Sequence, residues 1–294
     1  MADPPGLAAE RTSQLISTLL GDYWFDSTDH VPSAALTAVL AEFGTGVHAT
    51  RAALRRSTRQ GRLEGVRSGR TTAYRLAPAV RDRALATSQL VMGFGAAPVP
   101  WDGRWTCVAF SVPEAARQRR MALRKRLLRL GLGSLFDGLW ITPRDAADEI
   151  DRALDELGIG DATVLRATEV PGARRVDLLS AWDIAGLRAA YAAYVESLRE
   201  VGPRIEAGEV GSAEALVVRT ELLVGWRSLV VGDPRIPDEL LPGDWPRDEA
   251  RRRFVTAYDG LGHLAEARVR QLVAPCAATP PPRHHSVAHV LDAR

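Results

Sequence analysis

Thr45-Gly-Val-His-Ala-Thr-Arg-Ala-Ala-Leu-Arg-Arg-Ser-Thr-Arg-Gln-Gly-Arg-Leu-Glu-Gly-Val-Arg-Ser-Gly-Arg-Thr-Thr-Ala-Tyr-Arg-Leu76 decides how this chain is read. It holds eight arginines (Arg51, Arg55, Arg56, Arg59, Arg62, Arg67, Arg70 and Arg75) against one acid, Glu64. Eight minus one is a local excess of +7, in a chain whose net charge is only +2. The charge sits on a regular pattern. Thr50, Ala53, Leu54 and Ser57 recur at i, i+3, i+4 and i+7, which is one face of a helix. Arg51, Arg55 and Arg59 form an i, i+4, i+8 stripe on another face, with His48 at its start. Gly61 ends the helix. Leu63 to Arg67 and Thr71 to Leu76 then read as the strands of a hairpin around Ser68-Gly69-Arg70.

Outward from this stretch, Leu36, Val39, Leu40 and Phe43 mark a preceding helix, opened by Pro32-Ser33 and stopped by Gly44. Leu15, Ile16, Leu19 and Leu20 mark an earlier one, and Tyr23-Trp24-Phe25 reads as extended. Helix, helix, tight turn, basic helix and basic hairpin give a winged helix-turn-helix, with the basic helix aimed at a DNA major groove. Arg51 and Arg55, with Thr50 or His48 beside them, are the candidates for base edges. Arg56, Arg59 and Arg62 are the candidates for phosphates; Arg56 lies off the stripe, where it meets either phosphate or an acid of its own domain. Arg70 at the wing tip is assigned to the minor groove or the adjacent backbone.

Of 38 Lys+Arg only Lys125 is a lysine, so arginine content by itself carries no information and only its clustering counts. A length of 294 residues with 46% hydrophobic residues allows two or three domains. The pair Cys107 and Cys276, with no CxxC, implies neither a disulfide framework nor a zinc site, and points to a reducing, cytoplasmic setting. The first residues lack the basic and apolar runs of a signal peptide, and no stretch of ~18 apolar residues marks a membrane span.

The chain divides into a DNA-binding domain with its linking segment over 1–90, a second domain over 104–175, a helical domain over 176–275 and a disordered tail over 276–294. Residues 77 to 103 read as a connection, with a linking helix over Ala84 to Met92. In the second domain, strands over Trp105 to Val112, Leu135 to Thr142 and Ala162 to Val170 alternate with helices over Glu114 to Leu130 and Arg144 to Leu157. That order suits a ferredoxin-like α/β sandwich, so the fold class is α+β. The first of these helices is strongly basic and the second acidic. Mutual compensation is the plainer reading, and an anion-binding surface the sharper one. Trp182 to Glu206, Ala213 to Val231 and Arg247 to Val273 read as three long helices.

No phosphate-binding loop, dinucleotide fingerprint, nucleophile elbow or H-E-x-x-H occurs. The tail histidines His284, His285 and His289 are read as solvated, with no metal. Asp233, Asp238 and Asp244, in a Pro-rich turn, are read as helix caps facing water. No cofactor and no enzymatic activity are expected.

The residues resemble the PaaX-type family of transcription regulators, the phenylacetic-acid-degradation repressors. The likeness rests on Gly21-Asp-Tyr-Trp-Phe, Phe43-Gly44, Arg51-Ala-Ala-Leu54, Gly61-Arg-Leu63 and Tyr74-Arg75-Leu76. It continues through Pro113-Glu114, Leu139-Trp-Ile-Thr-Pro143, Trp182-Asp183, Asp233-Pro234, Ile236-Pro237, Leu240-Leu-Pro242 and Trp245-Pro246. The chain departs from the family at Ser57 and at Val224-Gly-Trp-Arg227. The resemblance implies a dimeric bacterial repressor with a Cas2-like, ferredoxin-like middle domain and a helical C-terminal domain. It also implies release from double-stranded operator DNA by phenylacetyl-CoA or another acyl-CoA thioester. Arg124, Trp140, Trp182, Tyr191 and Trp226 are the candidates for holding such an effector. An activator or ligand-independent regulator is the alternative. A metal-dependent nuclease on the Cas2-like middle is a more distant one, because Trp105 to Val112 carries no carboxylate.

Overall fold

The computed structural model describes residues 5–69, 71–98, 100–170, 176–276 and 278–293. Two compact units emerge. The first comprises Met1–Phe94, Glu196–Arg227 and Arg251–Arg294; the second comprises Gly95–Val195 and Ser228–Ala250. The helices after residue 176 are therefore shared between the two units rather than forming a compact body alone.

The first unit opens with α1 (Pro5–Tyr23), β1 (Val31–Pro32), α2 (Ser33–Ala41), α3 (Val47–Arg59), β2 (Leu63–Ser68), β3 (Thr71–Leu76) and α4 (Pro78–Gly93). Leu15, Ile16, Leu19 and Leu20 are buried on α1, as are Leu36, Val39 and Leu40 on α2. Each fully buried aliphatic side chain contributes about 1.5–3 kcal/mol, far more than the differences in helix propensity along these segments. Pro78 starts α4, where its missing N–H has no helical partner to lose. β3 pairs antiparallel with both β2 and β1, in register Gly65↔Tyr74 and Val31↔Tyr74. Tyr23-Trp24-Phe25 is not extended. Tyr23 closes α1, and Trp24 is buried.

The second unit contributes β4 (Trp105–Phe110), α5 (Arg117–Arg129), β5 (Gly133–Phe136), β6 (Leu139–Thr142), α6 (Ala147–Leu157) and β7 (Ala162–Ala167). The sheet order is β5-β6-β4-β7, with every neighbouring pair antiparallel. Residues 135 to 142, read from sequence as one strand, are a hairpin: Phe136 pairs with Leu139 across Asp137-Gly138. Leu123 and Leu127 of α5 and Ile150 and Leu154 of α6 pack in one cluster with Val108, Phe110 and Trp140 of the sheet. Gly158 closes α6 at φ +61, the left-handed cap that glycine adopts without strain.

Next come α7 (Ile184–Ser197), α8 (Val201–Glu206), α9 (Ser212–Gly232), α10 (Arg247–Gly260), α11 (Gly262–Val273) and α12 (Val287–Asp292). Two of the long helices read from sequence are thus broken. One breaks before α8. The other breaks at Gly260-Leu261-Gly262, where a methyl on Gly262 would overlap the His284 ring. No helix among the described residues is long and apolar enough to cross a membrane.

The segment expected to be a disordered tail is packed. The Trp24 indole N–H donates to the Pro280 carbonyl at 2.9 Å, and the Arg283 amide to the Tyr23 carbonyl at 2.9 Å. α12 lies on α4. Val287 and Val290 of α12 are buried, and backbone groups of the segment find fixed partners at the end of α1, so both apolar burial and hydrogen bonding order it.

Candidate nucleic-acid interface

α3 is held by the face that periodicity indicated: Thr50, Ala53, Leu54 and Ser57 are all buried. It packs on α1 and α2. That orientation turns His48, Arg51, Arg55 and Arg59 outward. None of the three arginines has an ion-pair partner among the described residues. The helix starts at Gly46 with no side-chain cap, so its first amide N–H groups are unsatisfied and favour an anion. The hairpin beside it places Arg67 outward, with its Nε 3.2 Å from the Gly69 carbonyl. Gly69 at the tip has φ +59. Arg70 lies outside the described residues.

Three assignments change. Thr50 is fully buried on the packing face, so it is not available to a base edge. Arg56 turns back onto α1, donating to the Ala9 carbonyl and to Ser13 Oγ at 2.7 Å. Arg62 pairs with Glu10 of α1 at 3.3 Å. Arg75 is likewise internal to the fold. It is 2.9 Å from Glu64 across the hairpin and 2.8 Å from the Thr28 carbonyl. Arg56, Arg62 and Arg75 therefore tie the helix and hairpin to their surroundings, while Arg51, Arg55 and Arg59 are exposed with no ion-pair partner among the described residues and Arg67 is exposed with its Nε on the Gly69 carbonyl. The off-stripe position of Arg56 left phosphate and an acid of its own domain open, and the structure gives it a carbonyl and a hydroxyl instead. The sequence carried no signal for Arg62, whose partner is 52 residues away.

Arg56→Ala is accordingly expected to lower thermal stability, by about 1–2 kcal/mol for the charged hydrogen bonds removed, and to leave DNA sequence preference unaltered. A melting curve paired with a competition binding series would check both halves.

The model of a PaaX-like protein matches residues 11–80, that of the PaaX central Cas2-like domain residues 98–179, and that of the PaaX-like C-terminal domain residues 182–271. The chain belongs to the PaaX family. It is 27% identical over 268 residues to the transcriptional repressor PaaX of Escherichia coli (strain K12), covering 88% of this chain and 83% of that protein. Its fold is similar to that of the uncharacterized protein Rv0674 from Mycobacterium tuberculosis, with a TM-score of 0.58 at 23% identity over 89% of this chain and 97% of the other.

Of the five residues that the PaaX resemblance suggested for an effector, Trp226 belongs to the first unit and Arg124, Trp140, Trp182 and Tyr191 to the second. Trp226 is in the core of the first unit, stacked on Phe254 at 5.2 Å and donating its indole N–H to the Val91 carbonyl at 2.8 Å. Tyr191 is buried in the second unit, and its hydroxyl donates to Asp233 at 2.7 Å. Burial, then the Asp233 charge beside it, pushes this phenol far above the ordinary range. Trp182 stacks on Trp105 at 6.3 Å and donates to the Gly131 carbonyl at 3.1 Å. Arg124 and Trp140 line one concavity together with Met121, Lys125 and Leu128. There the Trp140 indole N–H is buried without a hydrogen-bond partner, and Arg124 pairs with Asp137.

The charge contrast between α5 and α6 is partly compensation. Arg126 stands 3.6 Å from Glu156, and Arg119 reaches the Gly158 carbonyl at the C-terminal end of α6, where a cation complements the helix dipole. Asp233 does not face water. It is buried against Arg247, Nη2 to Oδ2 at 3.2 Å, while Asp238 takes Arg247 Nη1 at 2.7 Å.

Proposed function

We propose that this chain is a bacterial transcription repressor whose α2, turn, α3 and β2–β3 hairpin act as a winged helix-turn-helix. The carrying observation is the outward stripe of Arg51, Arg55 and Arg59. It lies on a helix whose other face is buried, in a relative of a protein named a transcriptional repressor. In this reading α3 enters the major groove, with Arg51 and Arg55 over base edges and Arg59 and the amide N–H groups at the helix start on phosphates. The hairpin brings Arg67 to the flanking backbone. The central unit is read as ferredoxin-like, supported by its strand order and by α5 and α6 sharing one core with the sheet. A two-fold dimer would present two such helices to half-sites ~34–36 Å apart, or a multiple of that.

Release by an acyl-CoA-type effector is part of the proposal. The concavity with Trp140, Met121 and Leu128 offers an apolar wall, and Arg124 and Lys125 offer cations for phosphates. The effector shifts DNA affinity only as far as it binds the free form of the repressor better than the bound form. The nuclease reading has less support, since Asp102, the carboxylate nearest β4, is paired with Arg166.

The test is fluorescence anisotropy on DNA upstream of the chain's own gene, against a scrambled duplex at fixed salt, with and without a panel of acyl-CoA thioesters. Preferential binding abolished by one thioester is the expected result. Equal binding to both duplexes would sink the operator reading. Preferential binding that no thioester alters would remove the effector alone.

A further inference from the structure

The packed tail brings two histidines of one turn against an aspartate more than 250 residues earlier in the chain. Ser286 caps α12, its Oγ accepting from the His289 amide at 3.1 Å. His285 and His289, four residues apart at the start of that helix, lie with ring centroids 4.7 Å apart and planes 24° apart. Asp26, on the segment that leaves α1, completes the group. Its Oδ2 is 3.7 Å from His285 Nε2 and 3.9 Å from His289 Nε2. One ligand atom from each of the three lies within 4.8 Å of the other two.

These separations are too long for hydrogen bonds but close to those of atoms sharing a metal ion. Ligand atoms ~2.0–2.1 Å from a tetrahedral metal stand roughly 3.4 Å apart. The neighbours also fix the ring. His285 is 5% exposed, stands edge-on to Phe25 at 5.7 Å, and its carbonyl takes a hydrogen bond from Arg219 at 2.8 Å. The Asp26 and His289 side chains are 53% and 56% exposed, which leaves an entry path and an open coordination position. The adjacent His284 is differently placed: its Nδ1 is 2.6 Å from Glu266.

We propose that Asp26, His285 and His289 bind a transition-metal dication of the zinc class, with three protein ligands and one exchangeable position. Two imidazole nitrogens and one carboxylate select such an ion over magnesium or calcium, which take oxygen ligands. The ion staples the C-terminal segment to the end of α1. It binds the folded chain with the tail docked, so it stabilises that state by mass action.

The experiment is a titration of the untagged full chain with Co2+, read by its visible ligand-field absorption, and with Zn2+, read by calorimetry. One ion per chain is expected, and Asp26→Asn and His289→Ala should each weaken binding at least roughly 100-fold. Both side chains are half-exposed, so the variants keep their fold, which metal-free melting curves verify. Zn2+ should raise the melting temperature of the wild type and leave both variants unmoved. Absence of a one-to-one site in the wild type overturns the proposal, as does unchanged affinity in either variant.

Discussion

Asp22→Ala is expected to destabilise the first unit by about 3–5 kcal/mol, the cost of leaving a buried charge without its partner. The charge is Arg219, whose side chain is 0% exposed. Its guanidinium pairs with Asp22 and donates to the Tyr258 carbonyl at 3.1 Å and the His285 carbonyl at 2.8 Å. It also lies over the Tyr258 ring at 3.8 Å. The Tyr258 hydroxyl donates to the other Asp22 oxygen at 2.5 Å, so the same substitution orphans a second buried group. Burial, then the Asp22 charge, pushes that phenol well above its ordinary range, so it stays a donor at any working pH. α1, α9, α10 and the C-terminal segment all meet at this one guanidinium. Denaturant unfolding of the wild type and the variant gives the difference directly. A loss under about 1 kcal/mol would show that water reaches the pair. Joint replacement, Asp22→Leu with Arg219→Met, should recover most of the loss, because no lone charge then remains.

Arg51→Ala should weaken operator binding by about 1–3 kcal/mol, roughly 5- to 150-fold, and relax preference at one base position. Arg59→Ala should act differently. It should weaken specific and scrambled DNA alike and reduce the slope of log K against log salt by about 0.9. The two outcomes separate base reading from phosphate holding on one helix face. Arg51 is exposed and pairs with no acid among the described residues, so its removal leaves the fold intact and the change in binding belongs to the arginine–DNA interaction itself. If Arg51→Ala bound every duplex as the wild type does, the major-groove placement of α3 would have to be abandoned.

Much of this was legible in the residues. The buried and exposed faces of α3 and the pairing of Leu63–Ser68 with Thr71–Leu76 follow from spacing along the chain, and the family from the resemblance of its motifs to known ones. The departures share one cause. Gly133 to Thr142 is mostly apolar, and periodicity alone did not separate one strand from a hairpin, although Asp137-Gly138 is a turn signal. Arg219 sits in the apolar run Leu216-Val-Val-Arg-Thr220, and a lone arginine there was a sign of a buried pair that helical spacing does not report.

By itself the sequence determined local matters: where helices and strands start, which faces are apolar, and where positive charge accumulates. These depend on residues three or four apart, whose geometry is set by the helix or strand they occupy. Only the tertiary structure decided which arginines of the basic stretch are exposed and which are bound to Ala9, Ser13, Glu10 or Glu64. It alone placed the C-terminal histidines against Asp26 and gave Arg219 its partner 197 residues away. Those relations join segments distant in the chain, and the energy of pairing a charge is set by distance and burial, which sequence spacing does not encode.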